Sequence, residues 1–183
     1  METRFGFIRD KLEIKILILF ILRRLSEPVD MDTLTDLTLC DDGISFFDYA
    51  DCVAELRSSG HIEETESGWV ITEKGIQNGE ITESSLPYSV RVRAGRNASI
   101  VSQAQQRAAL ITTSRELRVR GGTMVHLSMS DGMGPVFGLE LLAGNDAEAH
   151  TIEKNFKKDA EGIYLHVMDL LLRETEKETE KKE

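Results

Sequence analysis

Four histidines, two cysteines and a local run of arginines are the side chains of this 183-residue sequence with the most chemistry to offer. Their spacing decides which chemistry. His61, His126, His150 and His166 are scattered, with no cysteine or carboxylate pair beside any of them at metal-ligand intervals. Cys40 and Cys52 share neither a metal-type nor a redox-type spacing and read as reduced thiols. Gly132-Met133-Gly134-Pro135 lacks both the full glycine pattern and the Lys-Ser/Thr pair of a phosphate loop, so it reads as a hairpin turn. Ser128 and Ser130 have no G-x-S-x-G elbow around them. Nothing here has the spacing of a catalytic site, a metal site or a cofactor site. The expectation is a binding protein, not an enzyme.

Charge is the stronger signal, because it is unevenly placed. Residues 1–86 hold eight Lys/Arg against eighteen Asp/Glu, while residues 87–183 hold fourteen of each. Within 87–120 seven arginines face Glu116 alone, so the positive surface lies outside the acidic first half. Arg91, Arg93 and Arg96 form one group, with Arg115, Arg118 and Arg120 further on. Guanidinium groups of this kind suit phosphate contacts, and equally they can neutralise the acidic first half, within the chain or across a dimer.

The elements that must position these groups follow from periodicity and punctuation. A first helix is predicted from near Arg9 to Leu25, apolar all round through Ile16–Leu22. That run is far short of the roughly 20 residues a membrane span needs. Arg23-Arg24 directly after it, acidic residues before it and the lack of a small-residue cleavage pattern argue against a signal peptide, so a cytoplasmic protein is expected. Asp30 or Asp32 caps a short helix carrying Leu34, Leu37 and Leu39. A third helix is predicted over Ser45–Ser59, with Tyr49, Cys52, Val53 and Leu56 inward. Gly60 stops it, and a hairpin then pairs about His61–Thr65 with Trp69–Thr72 through Ser67-Gly68. Thr72 caps the next helix, which carries Glu73 in its first turn. This order is that of a winged helix-turn-helix.

Pro87 marks the expected boundary of that domain, which is taken as residues 1–86. An α+β domain over residues 87–173, for dimerisation or sensing, follows. It opens with a helix from Tyr88 to about Gln105. Three strands come next, Ala109–Val119, Thr123–Met129 and Val136–Leu142, in a small antiparallel sheet covered by two C-terminal helices capped at Asn145 or Asp146 and at Asp159. Residues 174–183 alternate Glu, Thr and Lys and are expected to fray.

Three blocks carry a resemblance. They are the apolar helix through Leu12–Leu25, the Leu56–Gly60 helix end with Trp69-Val70-Ile71-Thr72-Glu73-Lys74-Gly75, and Glu153-Lys154-Asn155-Phe156-Lys157-Lys158 with Ile163-Tyr164 and Leu170-Leu171-Leu172. Together they resemble a bacterial family of winged-helix proteins catalogued as a domain of unknown function, near the PadR-like transcription regulators. The resemblance spans nearly the whole chain and implies a DNA-binding role.

For double-stranded DNA the residues expected to matter are Ser45, Asp48, Asp51 and Arg57 on or beside the third helix, and Arg91, Arg93 and Arg96 beyond it. The outward face of the third helix is poorly suited to DNA, since Asp48, Asp51 and Glu55 would repel phosphate and Ala50 and Ala54 offer it nothing. Glu63, Glu64 and Glu66 at the wing add to this. The leading expectation is a DNA-binding transcription regulator acting as a homodimer, the all-round apolar first helix supplying the motive to dimerise. The alternative is a winged-helix interaction module whose acidic third helix and wing take a basic protein partner and no DNA.

Overall fold

Asp10 accepts the Glu13 amide hydrogen at 2.9 Å and starts α1 (Lys11–Leu22), which ends three residues before the expected Leu25. The computed structural model describes residues 7, 8, 10–119 and 121–173, so the expected start at Arg9, the expected contribution of Arg120 and the expected fraying of 174–183 lie outside the described residues. Asp30 caps α2 (Met31–Thr38) and Ser45 caps α3 (Phe46–Ser58). Gly60, at φ 71°, turns the chain out of α3. β1 (Ile62–Thr65) and β2 (Gly68–Ile71) pair antiparallel, with Ile62 opposite Ile71 and Glu64 opposite Trp69. Thr72 then caps α4 (Glu73–Thr82) through the Gly75 amide. A single 3-10 turn at Glu83–Ser85 leads to α5 (Tyr88–Ala109).

The chain divides by packing into Met1–Gln106 and Arg107–Glu183. The division falls some way past the expected break after Leu86, because Val90, Ala94 and Ala98 of α5 are buried in the same core as α1. Proline at 87 shapes the local backbone but does not decide which core the following helix joins.

At the centre of the first unit lies α1, which touches α2, α3, α4 and β2. Ile14 and Ile16–Leu22 are all buried there. The apolar run expected to need a second copy of the chain is thus covered within its own unit, and that motive for a homodimer falls away. The hairpin is tied back by a third segment: Val29 donates to the Trp69 carbonyl at 3.2 Å and Trp69 donates to the Val29 carbonyl at 2.7 Å. Gly68 is required for this approach, since a Cβ there would lie 2.5 Å from the Val29 carbonyl oxygen and its φ is 128°.

In the second unit β3 (Ile111–Leu117), β4 (Thr123–Ser130) and β5 (Pro135–Ala143) form an antiparallel sheet in the order β3-β4-β5. The pleat sorts β4 strictly, with Thr123, Val125, Leu127 and Met129 buried and the residues between them half-buried. Asp131 closes the β4-β5 turn by accepting from the Met133 and Gly134 amides, as expected of a hairpin turn. Asn145 caps α6 (Asp146–Lys158) and Asp159 caps α7 (Ala160–Leu172). Phe156, Ala149 and Ala160 close one face of the sheet, with Phe137 packing between Phe156 and Tyr164. The fold is α+β: helices, then a three-stranded antiparallel sheet and C-terminal helices.

Candidate docking surface on the third helix

The inward stripe of α3 is the expected one: Tyr49, Cys52, Val53 and Leu56 are buried. Burial also sets their chemistry. The Cys52 thiol is pushed up to about 11, and burial raises Cys40 and the Tyr49 phenol above their ordinary values. These are unreactive groups in a core.

The remaining faces of α3 differ from the open acidic surface expected of them. Ser45 and Asp48 bond to one another, the hydroxyl donating to the carboxylate at 2.6 Å and accepting from the Asp48 amide at 3.1 Å. Asp51 takes Lys11 of α1 at 2.6 Å, and Glu55 pairs with Lys15. The Asp51 carboxylate, by accepting that bond, raises the Lys11 amine above its ordinary value. Asp51 and Glu55 thus belong to the seam between α3 and α1.

Beside that seam, the solvent face carries residues that helical periodicity alone does not single out. Phe46 is 58% exposed and Phe47 81% exposed, their rings meeting edge to face. A groove of about 650 Å³ runs along this face. Ala50, Val53 and Ala54 line it from α3, with Met31 from α2, Trp69 from β2 and Arg57 at one end. Arg57 is held at 3.0 Å from Glu64, its guanidinium carbon 5.7 Å from the centre of the Trp69 ring. The sequence does hold a signal for this surface. At about 100° per residue, Phe47 falls nearly opposite the inward stripe of Tyr49, Cys52 and Leu56, so it is left to solvent.

Arg91, Arg93 and Arg96 of α5 do not all share one face. Positions two apart point to nearly opposite sides of a helix, and Arg91 and Arg93 accordingly find different surroundings. Arg91 is partly buried over the Tyr88 ring, 5.9 Å away, and its Nε is buried without a partner. Arg93 donates to the Cys40 carbonyl at 2.7 Å. Arg96 is exposed and makes no ion pair among the described residues. In the second unit Arg115 is engaged by Asp146 and Glu153 at 2.9 and 2.7 Å.

The match to a family model covers residues 14–171 and concerns a family described as a domain of unknown function, DUF4364. The chain belongs to that family. Neither a curated protein nor a solved structure matches it. Among the described residues no group of three or more His, Cys, Asp or Glu could hold a metal ion, and no helix is long and apolar enough to cross a membrane.

Proposed function

We propose that the first unit is a winged helix-turn-helix of PadR-like type whose third helix and wing dock a protein partner in place of reading DNA. The helix order, the hairpin after α3 and the Val29–Trp69 bridge support the winged-helix reading. One observation carries the docking reading: the solvent face of α3 is apolar, and Lys11, Lys15 and Arg57 beside it are each taken by a carboxylate. Lys11 and Lys15 pair with α3, and Arg57 pairs with the wing. DNA affinity rests on cations that displace the counterions of phosphate, and these three are already engaged. Exposed aromatics with an arginine are, by contrast, the composition of a protein interface.

A photo-crosslinking amino acid in place of Phe47 tests this in cells. Protein adducts lost on Ala54→Glu are expected. Nucleic-acid adducts overturn the reading.

The second reading, a DNA-binding regulator acting as a homodimer, draws on Arg96, exposed and without an ion pair among the described residues. It requires duplex DNA to be shifted at low salt, and the salt slope to fall in Arg93→Ala and Arg96→Ala.

A further inference from the structure

The groove on α3 has features that narrow what would fill it, granted the protein-docking reading above. Ala50 and Ala54, exposed and one helical turn apart, line it from α3, so a second backbone can approach closely along the α3 axis. The apolar surface also extends beyond the groove to Phe47, which is not part of the lining, so an occupant confined to the groove would leave it in water. A helix laid along α3 covers both. An added β-strand is disfavoured, because the free edge at β1 carries Glu63 and Glu64, a charged edge of the kind that resists strand addition.

Charge narrows the occupant further. Asp32 and Asp36 are exposed on α2, the helix that supplies Met31 to the groove, and Glu63 and Glu66 are exposed on the hairpin that supplies Trp69. None of these four carboxylates makes an ion pair among the described residues, while Arg57, the groove's cation, is taken by Glu64. The elements that supply Met31 and Trp69 to the groove thus carry exposed acidic side chains.

We infer that the α3 groove binds an amphipathic helix of a partner protein whose apolar stripe is flanked by Lys or Arg. The stripe would present anchors at i, i+3 or i+4, and i+7 to Ala50, Ala54 and Trp69, with its cations facing Asp32, Asp36 and Glu66.

Synthetic helices test this with the full chain. Trp69 is the chain's single tryptophan and lines the groove, so its fluorescence reads binding directly. Three peptides are compared: a leucine-striped helix with lysine flanks, the same stripe with glutamate flanks, and the lysine peptide with its stripe leucines changed to serine. The expected result is a saturable change with the first peptide, weakened by salt. Binding at least about tenfold weaker is expected for the other two, and also for the first peptide with Ala54→Glu. Ala54 is exposed, so the variant is checked for folding by circular dichroism, with Phe47→Ala as a second, milder variant expected to weaken binding.

Equal binding of the lysine and glutamate peptides overturns the basic character of the partner but leaves protein docking standing. No saturable change with the lysine peptide overturns the inference. DNA shifted by the wild type and released by Ala54→Glu overturns the docking reading itself.

Discussion

Replacing Gly75 by alanine tests the placement of the hairpin against α4, and the opposing effects have different sizes. In a free helix the change is favourable by at most about 1 kcal/mol. Here the new Cβ would press into the His61 carbonyl oxygen and lie 2.7 Å from Ile71 Cγ1. The carbonyl cannot yield freely, since it accepts from the Thr72 amide and from the Thr72 hydroxyl, both at 3.0 Å. Overpacking of this kind costs roughly 1–3 kcal/mol, and weakening those two bonds adds roughly 1 kcal/mol. The net expectation for Gly75→Ala is a loss of about 2 kcal/mol. The companion Gly95→Ala meets only the Phe20 ring, 3.7 Å away, in ordinary contact, and is expected to gain up to about 1 kcal/mol. Urea unfolding followed by Trp69 fluorescence reports on the first unit for both variants, with far-UV circular dichroism as a second probe. A Gly75→Ala protein as stable as the wild type would refute the packing of α4 against the start of the hairpin.

Two further predictions concern buried or partly buried polar groups. Asp41 is 3% exposed and accepts from the Phe7, Ile8 and Gly43 amides at 3.0–3.2 Å. Asp41→Ala is expected to cost about 2–4 kcal/mol in urea unfolding and to speed proteolysis before α1, and Asp41→Asn less, because it keeps one acceptor oxygen. An unchanged midpoint for Asp41→Ala would show that this carboxylate does not anchor the segment. The His61 imidazole is held below its ordinary pKa, first by burial and then by the Lys74 and Lys15 charges. The unfolded chain therefore binds the proton more readily. This contribution to stability is intact above about pH 6.5 and is lost as pH falls from there through the lower folded-state pKa. His61→Gln is expected to flatten the stability profile below about pH 6.5. A profile with the same slope in both proteins removes His61 as the cause.

Local punctuation in the sequence carries well into the structure, for a physical reason. Gly60, Ser67-Gly68, Thr72 and Asp159 act on their own backbone, and each stands at the turn or cap its chemistry suggests. Asp30 and Asn145, each one of two named options, are the caps used. Questions of what packs on what are less legible. The apolar circumference of α1 says that it is covered on all sides, but not by what, and other elements of its own unit do the covering. Likewise Asp51 and Glu55 are outward on a helical wheel, yet Lys11 and Lys15 wait beside them on a helix forty residues away in sequence. The exposed pair at Phe46-Phe47 escapes a periodicity argument, which picks out inward positions and leaves the apolar residues of a first turn unassigned.

The paired hydrogen bonds between Val29 and Trp69 have a mechanical consequence. They fasten one wall of the groove to the connection between the first two helices, so the hairpin cannot swing outward as a free flap. Under the docking proposal a guest would meet a cleft already in shape and would not have to mould its host. Any entropy lost on meeting would then fall mainly on the visitor, and affinity would be tuned by how firmly that visitor holds its own shape beforehand.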